Sequence, residues 1–138
     1  CVAAGTPGTW VSARGSGETL VGRTSVTLNT GTSATQVYQP STGSFLVTGI
    51  TLTVTANTTP TGTAAVSLGI TGAGYTDVVA NTTLTGFGTT NGQVWYFPIA
   101  TGGLLSAVTN GAPLFIKQNT GFGTQGCTVR VDVYGIPR

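Results

Sequence analysis

The sequence contains no histidine, and this absence removes most of the side-chain chemistry available at neutral pH. Ser–His–Asp and Cys–His arrangements both need an imidazole base, and zinc and iron sites usually include one. Carboxylates are scarce as well, because Glu18, Asp77 and Asp132 are the only three. Glu18 lies in a low-complexity stretch, Asp77 stands alone, and Asp132 is expected to form a solvated pair with Arg130 on one strand face. We therefore predict that the protein is not an enzyme and holds no metal or cofactor.

Charge of either sign is also sparse. Charged residues make up 6% of the chain, against a usual level of about 25%. The formal net charge is +2, and the five cations are scattered along the sequence. Because nucleic-acid binding depends on a concentrated basic patch, no nucleic-acid partner is predicted. Because the surface carries so few charges, electrostatic repulsion between protein molecules is weak, which favours packing against neighbouring proteins.

Long apolar runs are missing too. No stretch of 18 or more apolar residues exists, so no membrane span is predicted, and residues 1–10 lack the basic and hydrophobic regions of a signal peptide. Cys1 at the start fits either removal of an initiator Met or a mature lipoprotein. Cys1 and Cys127 are the two cysteines, and isolated cysteines are more often free thiols than disulfide partners. Whether they pair is left open.

The residues that are abundant indicate β-structure. The chain has 22 glycines and 29 threonines, no Met, and one Lys and one Glu, which disfavours helices. Apolar residues alternate with polar ones, as in Ile50, Leu52 and Val54 against the threonines between them. Strand-like runs recur every 8 to 15 residues, separated by Gly, Pro and Asn turn residues. These runs are 34–39, 44–56, 63–70, 75–80, 93–99, 113–118 and 127–136.

This pattern predicts an all-β fold, a jelly-roll-like β-sandwich of about eight strands over residues 34–138. Phe45 and Val47 are out of phase with Ile50, so we expect a bulge at Gly49 and a long strand that bends between the two sheets. Asn91–Gly92 is the strongest hairpin-turn signal, although residues 86–90 are too rich in glycine for a firm strand.

Residues 1–33 have thinly spaced apolar residues among Gly, Ser, Thr and Ala. We predict an extended N-terminal arm with one to three short strands. Trp10 lies in this arm with few local partners, so docking of Trp10 on a neighbouring subunit is a hypothesis.

Trp95, Tyr96 and Phe97 alternate across one predicted strand. The simplest expectation is that Trp95 and Phe97 fill the core and Tyr96 is half exposed. An exposed aromatic ring could instead stack on a sugar ring or anchor a protein interface. The candidate interface or ligand contacts are therefore Trp10, Trp95 and Tyr96.

Three segments carry a resemblance to a family. Residues 127–136 (CTVRVDVYGI), 49–54 (GITLTV) and 66–70 (VSLGI) resemble the small β-sandwich virion proteins of tailed bacteriophages. The resemblance extends over about residues 34–138. It lies in the general pattern of short strands rich in Gly and Thr, without a diagnostic motif.

The resemblance implies a capsid decoration, or cement, protein that forms homotrimers on the outer capsid surface of the virion. Such proteins clamp neighbouring capsomers of the major capsid protein and often use an N-terminal arm. The same pattern occurs in receptor- or glycan-binding domains of phage tail or head fibres, which is the alternative. A different surface protein, including a lipoprotein, is the third possibility.

Overall fold

The computed structural model describes residues 19–41, 43–70, 72–98, 107–108 and 111–137. In these ranges the chain forms strands connected by turns and loops, with no helix. The strands are β1 (Thr19–Leu28), β2 (Ala34–Tyr38), β3 (Phe45–Asn57), β4 (Ala65–Gly69), β5 (Val79–Thr83), β6 (Val94–Pro98), β7 (Ala107–Val108), β8 (Leu114–Thr120) and β9 (Cys127–Pro137). Correspondingly, no helix of the described residues is long and apolar enough to cross a membrane.

The strands form two antiparallel sheets. The first sheet has the order β1-β9-β3-β6, and the short β7 also pairs with β3. The second sheet has the order β2-β8-β4-β5. Apart from the short β7, the described residues give four strands in each sheet. The prediction of an all-β sandwich of about eight strands is confirmed, and its jelly-roll-like topology stays a prediction.

The core lies between the inner faces of the two sheets. In the first sheet Ile50 pairs with Val133, Leu52 with Val131 and Val54 with Val129. All six of these side chains are at most 2% exposed. Val66, Leu68, Leu114 and Ile116 supply buried side chains from the second sheet. Alternation with a period of two therefore places every second side chain of a strand in one shared core.

The bulge predicted near Gly49 is present, because the register of β3 against β9 shifts between Val47 and Gly49. The prediction that this strand bends between two sheets is wrong. All of β3 stays in the first sheet, since β9 continues to Pro137 and remains paired with β3 on both sides of the shift. The bulge brings both Val47 and Ile50 to buried positions within one continuous strand.

The sandwich includes residues that the sequence assigned to the arm. β1 pairs with β9 along nearly its whole length, from Thr19 opposite Gly135 to Leu28 opposite Cys127. Val26 and Leu28 enter the core, whereas the alternating residues Arg23, Ser25 and Thr27 are exposed. An edge strand of this kind needs few apolar residues, which explains the thin apolar spacing. The rest of the predicted arm, residues 1–18, and Trp10 with it, lies outside the described residues.

Cys127 is a free thiol in the core, and its residue is 2% exposed. Burial raises the pKa of the Cys127 thiol to about 11, because the thiolate would lose its hydration. The neutral thiol is therefore the stable form in the folded protein. The question whether it pairs with Cys1, which the sequence leaves open, is not tested, because Cys1 lies outside the described residues.

Leu52→Ala should lower the free energy of unfolding by about 2–5 kcal/mol, because it removes a fully buried side chain between the sheets. Thr53→Ala is the matched control on the outward side of the same strand, and we expect a change within about 0.5 kcal/mol. Urea titration of both variants measures the difference. Equal losses would contradict the assignment of inner and outer faces.

Native Cys127 should react slowly with a thiolate-specific reagent at pH 8, since it is both buried and protonated. A Cys1→Ser background removes the other thiol, and urea unfolding should restore fast labelling. Because the folded-state pKa is raised, the contribution of the neutral thiol to stability is present below the ordinary thiol pKa and is lost as the pH rises towards about 11. Labelling in the native state as fast as in urea would contradict the burial.

Candidate interaction surface

The outer faces of the two sheets differ. Residues 72–78, between β4 and β5, lie against the outer face of the second sheet. Ser67 Oγ donates to the carbonyl of Gly74 at 2.9 Å, and Lys117 Nζ donates to the carbonyl of Ala73 at 2.6 Å. The rings of Tyr75 and Phe115 pack with centroids 4.9 Å apart. This outer face is therefore partly covered by its own chain, and Ser67 is fully buried there.

The covering segment explains why a strand predicted at residues 75–80 instead begins at Val79. Asp77 accepts hydrogen bonds from the backbone N–H of Ile70 at 2.9 and 3.2 Å, which closes the segment onto the end of β4. Gly69 permits this close approach, since a Cβ there would lie 2.0 Å from Asp77 Oδ1. Residues 72–78 form a loop for this reason.

The outward side chains of the first sheet form what we call the open face. They are exposed on the edge strands β1 and β6 and mostly part-exposed on the central strands β9 and β3. Most are hydroxyl-bearing, and neighbouring hydroxyls contact one another, as Thr27 Oγ1 and Thr128 Oγ1 do at 3.3 Å. The open face comprises Arg23, Ser25 and Thr27 of β1, Thr128, Arg130, Asp132 and Tyr134 of β9, Thr51, Thr53 and Thr55 of β3, and Val94 and Tyr96 of β6.

A charged cluster lies within the open face. Arg23 Nε donates to Asp132 Oδ1 at 2.7 Å, and Arg130 Nε donates to Asp132 Oδ2 at 3.0 Å. The Asp132 side chain is 2% exposed, whereas those of Arg23 and Arg130 are 53% and 39% exposed. The hydrogen bond that Arg23 donates to Asp132, and next the negative charge of Asp132, raise the pKa of the Arg23 guanidinium above its ordinary value. One buried carboxylate thus holds two exposed guanidinium groups, and the cluster has a net charge of +1.

The sequence predicted Asp132 and Arg130 as a solvated pair, and the structure corrects this in two respects. Asp132 is buried, and its closer partner is Arg23, 109 residues away in sequence. Arg23 reaches Asp132 because the two are register partners in the β1–β9 pairing. The periodicity of either strand alone carries no information on that pairing, so the cluster could not be predicted from the sequence.

The aromatic residues of β6 take the orientations that alternation predicts. Phe97 is buried, Trp95 is half-buried against the core, and Tyr96 is 57% exposed. The Tyr96 ring lies over Gly49, where a Cβ would come within 3.1 Å of the ring. Val94, which the sequence analysis did not select, is 61% exposed beside Tyr96 on the same edge. The roles of Trp95 and Tyr96 as contacts stay predictions, as does that of Trp10.

The turn before β6 is held by one side chain. Gly92 has a φ of 86°, as the Asn91–Gly92 signal predicts, and residues 86–90 form no strand. Gln93 Oε1 accepts hydrogen bonds from the backbone N–H groups of Gly88 and Thr89, both at 2.9 Å. A depression of about 130 Å³ beside this turn is lined by Thr85, Gly86, Phe87, Gln93, Val94 and Trp95. It is well below the roughly 300–1,000 Å³ of small-molecule sites.

The described part of the chain contains no group of three or more His, Cys, Asp or Glu side chains placed to hold a metal ion. Its most distinctive surface is thus the open face, which is wide, hydroxyl-rich and charged at one point. Such a surface can form hydrogen bonds and van der Waals contacts with a complementary protein.

Comparison with known proteins identifies no family for this chain. No protein-family model matches the sequence, and no curated protein matches it. Among solved structures, the chain is similar to one described as the cyanophage Pam1 capsid asymmetric unit. The sequence identity is 25%, the TM-score is 0.49, and the alignment covers 98% of this chain and 99% of that one.

Asp132→Asn should destabilise the fold by about 1–3 kcal/mol, because an amide offers one acceptor where the carboxylate offers two to the flanking arginines. Thermal or urea unfolding measures the loss, and Thr51→Ser, in the same row of the sheet, is the control with no change of charge. Stability equal to that of the native protein would contradict a structural role for the carboxylate.

Proposed function

We propose that the chain is a structural protein of a tailed-bacteriophage virion, and specifically a capsid decoration (cement) protein. In this proposal it binds the major capsid protein on the outer surface of the head through the open face, and it stabilises the lattice by bridging neighbouring capsomers. It acts as a homotrimer and performs no catalysis. The observation that carries the proposal is the open face itself, and the sequence resemblance to small phage virion proteins supports it.

The size of the open face suits a protein interface. Four strands about 4.8 Å apart give the width of the face, and a mean strand length of about ten residues, at about 3.3 Å per residue, gives its length. The area is therefore on the order of 600 Å². A stable protein–protein interface buries about 800 Å² on each partner. The open face with its rim is therefore of the size that a specific partner would cover.

The composition of the open face lowers the cost of covering it. Threonine is short and stiff at χ1, so it loses little side-chain entropy when a partner immobilises it. Its hydroxyl can donate or accept, which lets it match backbone groups or bridging water on a partner. A decoration protein repeats one such contact many times over a lattice, so moderate affinity at each site is sufficient.

The trimer and the arm are further parts of the proposal. Trp10 would dock on a neighbouring subunit, and residues 1–18 have enough length to reach one, at most about 60 Å when fully extended. This contact would connect copies that each hold the lattice through the open face.

The exposed ring of Tyr96 is the one observation that favours the alternative, a receptor- or glycan-binding fibre domain. A partly exposed tyrosine can stack on a sugar ring. Tyr96 lies on the open face, however, beside Val94 and at the rim of the area described above. The decoration proposal uses the same ring as an interface contact.

The proposal is tested on purified phage heads from which this protein has been removed. The added chain should bind to saturation with a fixed copy number per lattice site, and it should raise the temperature at which the heads release their DNA. Tyr96→Ala should weaken binding several-fold, because aromatic anchors dominate interface energies. Thr76→Ala, in the segment covering the second sheet, is the matched control and should bind normally.

Four outcomes would overturn the decoration proposal. One is the absence of any binding to heads, and another is an imaged particle in which the protein lies on the tail. The third is binding to host cells or a glycan array that Tyr96→Ala abolishes, which would establish the fibre alternative. A diacylglycerol on Cys1, measured by mass spectrometry, would contradict both and favour a lipoprotein.

A further inference from the structure

We infer that the cluster of Arg23, Asp132 and Arg130 is the point at which the open face recognises a carboxylate side chain of its protein partner. The inference rests on the proposed function and extends it by naming the chemistry of the contact on the partner surface. That contact is an Asp or Glu side chain on the capsid lattice. The rest of the open face supplies neutral contacts around it.

The geometry leaves guanidinium donors facing outward. Arg130 uses Nε towards Asp132, and Arg23 uses Nε and, at 3.4 Å, one terminal nitrogen. Within the described part of the chain, Arg130 donates through Nε and through neither of its terminal nitrogens. Since a guanidinium has five N–H groups in a planar fork, both arginines retain donors for a second carboxylate.

The carboxylate of Asp132 has already fixed both arginines. A long arginine side chain loses rotamer entropy when it is immobilised, and an ion pair that holds it beforehand removes part of that loss from binding. The pair of guanidiniums is thus preorganised for a partner anion. It is also placed within the open face, between the hydroxyl rows of β1 and β3.

Stability alone does not account for such a cluster. Burying a carboxylate costs free energy that its ion pairs roughly offset, so buried pairs are weak evidence for stability. Threonine occupies other outward positions of the same sheet, at Thr51, Thr53 and Thr128, without any charge. What the charged cluster adds to the surface is a fixed pair of cations.

The net charge of the cluster indicates which chemical group on a partner it would bind. The cluster has a net charge of +1, and the remaining side chains of the open face are neutral. The other described charges, Lys117 and Asp77, lie at the second sheet and are engaged there by Ala73 and Ile70. One excess cation matches one carboxylate, which a guanidinium binds with two parallel hydrogen bonds. It is too little for a nucleic-acid backbone, which needs many phosphate contacts.

The experiment measures binding of the chain to stripped phage heads at a series of salt concentrations. Arg130→Gln and Arg23→Gln should each weaken binding about tenfold or more at low salt, and the salt dependence should become shallower. Lys117→Gln makes the same change of charge at the covered sheet and should bind as the native protein does. Arg130→Lys keeps the charge but loses the planar fork, and we expect intermediate binding.

The outcomes separate the inference from the function it rests on. Native protein that does not bind heads refutes the proposed function. Native protein that binds, together with Arg130→Gln and Arg130→Lys proteins that bind equally well with the same salt dependence, refutes only the carboxylate contact. Thermal unfolding of each variant shows whether it is folded, and Arg130→Lys retains a cation beside Asp132 should the neutral variants unfold.

Discussion

The pairing of β3 with β9 is the constraint on which the rest of the molecule depends. These two strands form the centre of the first sheet and are paired from Phe45 opposite Pro137 to Asn57 opposite Cys127. Their inward side chains, all Val, Leu, Ile or Phe except for Gly135 and Cys127, supply a large part of the core of the sandwich. Their outward side chains occupy the middle of the open face. A slip of one residue in this register would exchange the two sets and expose the apolar row.

The same register decides where charge lies on the surface. β1 pairs with the other side of β9, and this brings Arg23 opposite Asp132. β6 pairs with the other side of β3, and this brings Tyr96 opposite Thr51. Because Asp132 is itself opposite Thr51, one row across the sheet carries an arginine, a carboxylate, a hydroxyl and an aromatic ring. Four segments far apart in sequence thus contribute to one continuous surface.

The sequence predicts the individual strands better than it predicts which strands pair and which loops cover them. Periodicity of two identified the inward residues of β3 and β9, and the change of phase at Gly49 located the bulge, because both signals are local. The membership of β1 in the sheet was missed, since an edge strand with two buried apolar residues, Val26 and Leu28, looks like a polar arm. The start of β5 was missed because a loop packs on Phe115. The burial of Asp132 depends on a partner 109 residues away, so no local pattern could reveal it.

The loop over the second sheet has a consequence for how copies of this chain can stack. Residues 72–78 cover part of the outer surface of that sheet. If a copy attaches by its open face, as proposed above, it presents this partly covered surface on its opposite side. A second copy would then meet a surface unlike the open face, so the proposed attachment favours a single layer of molecules.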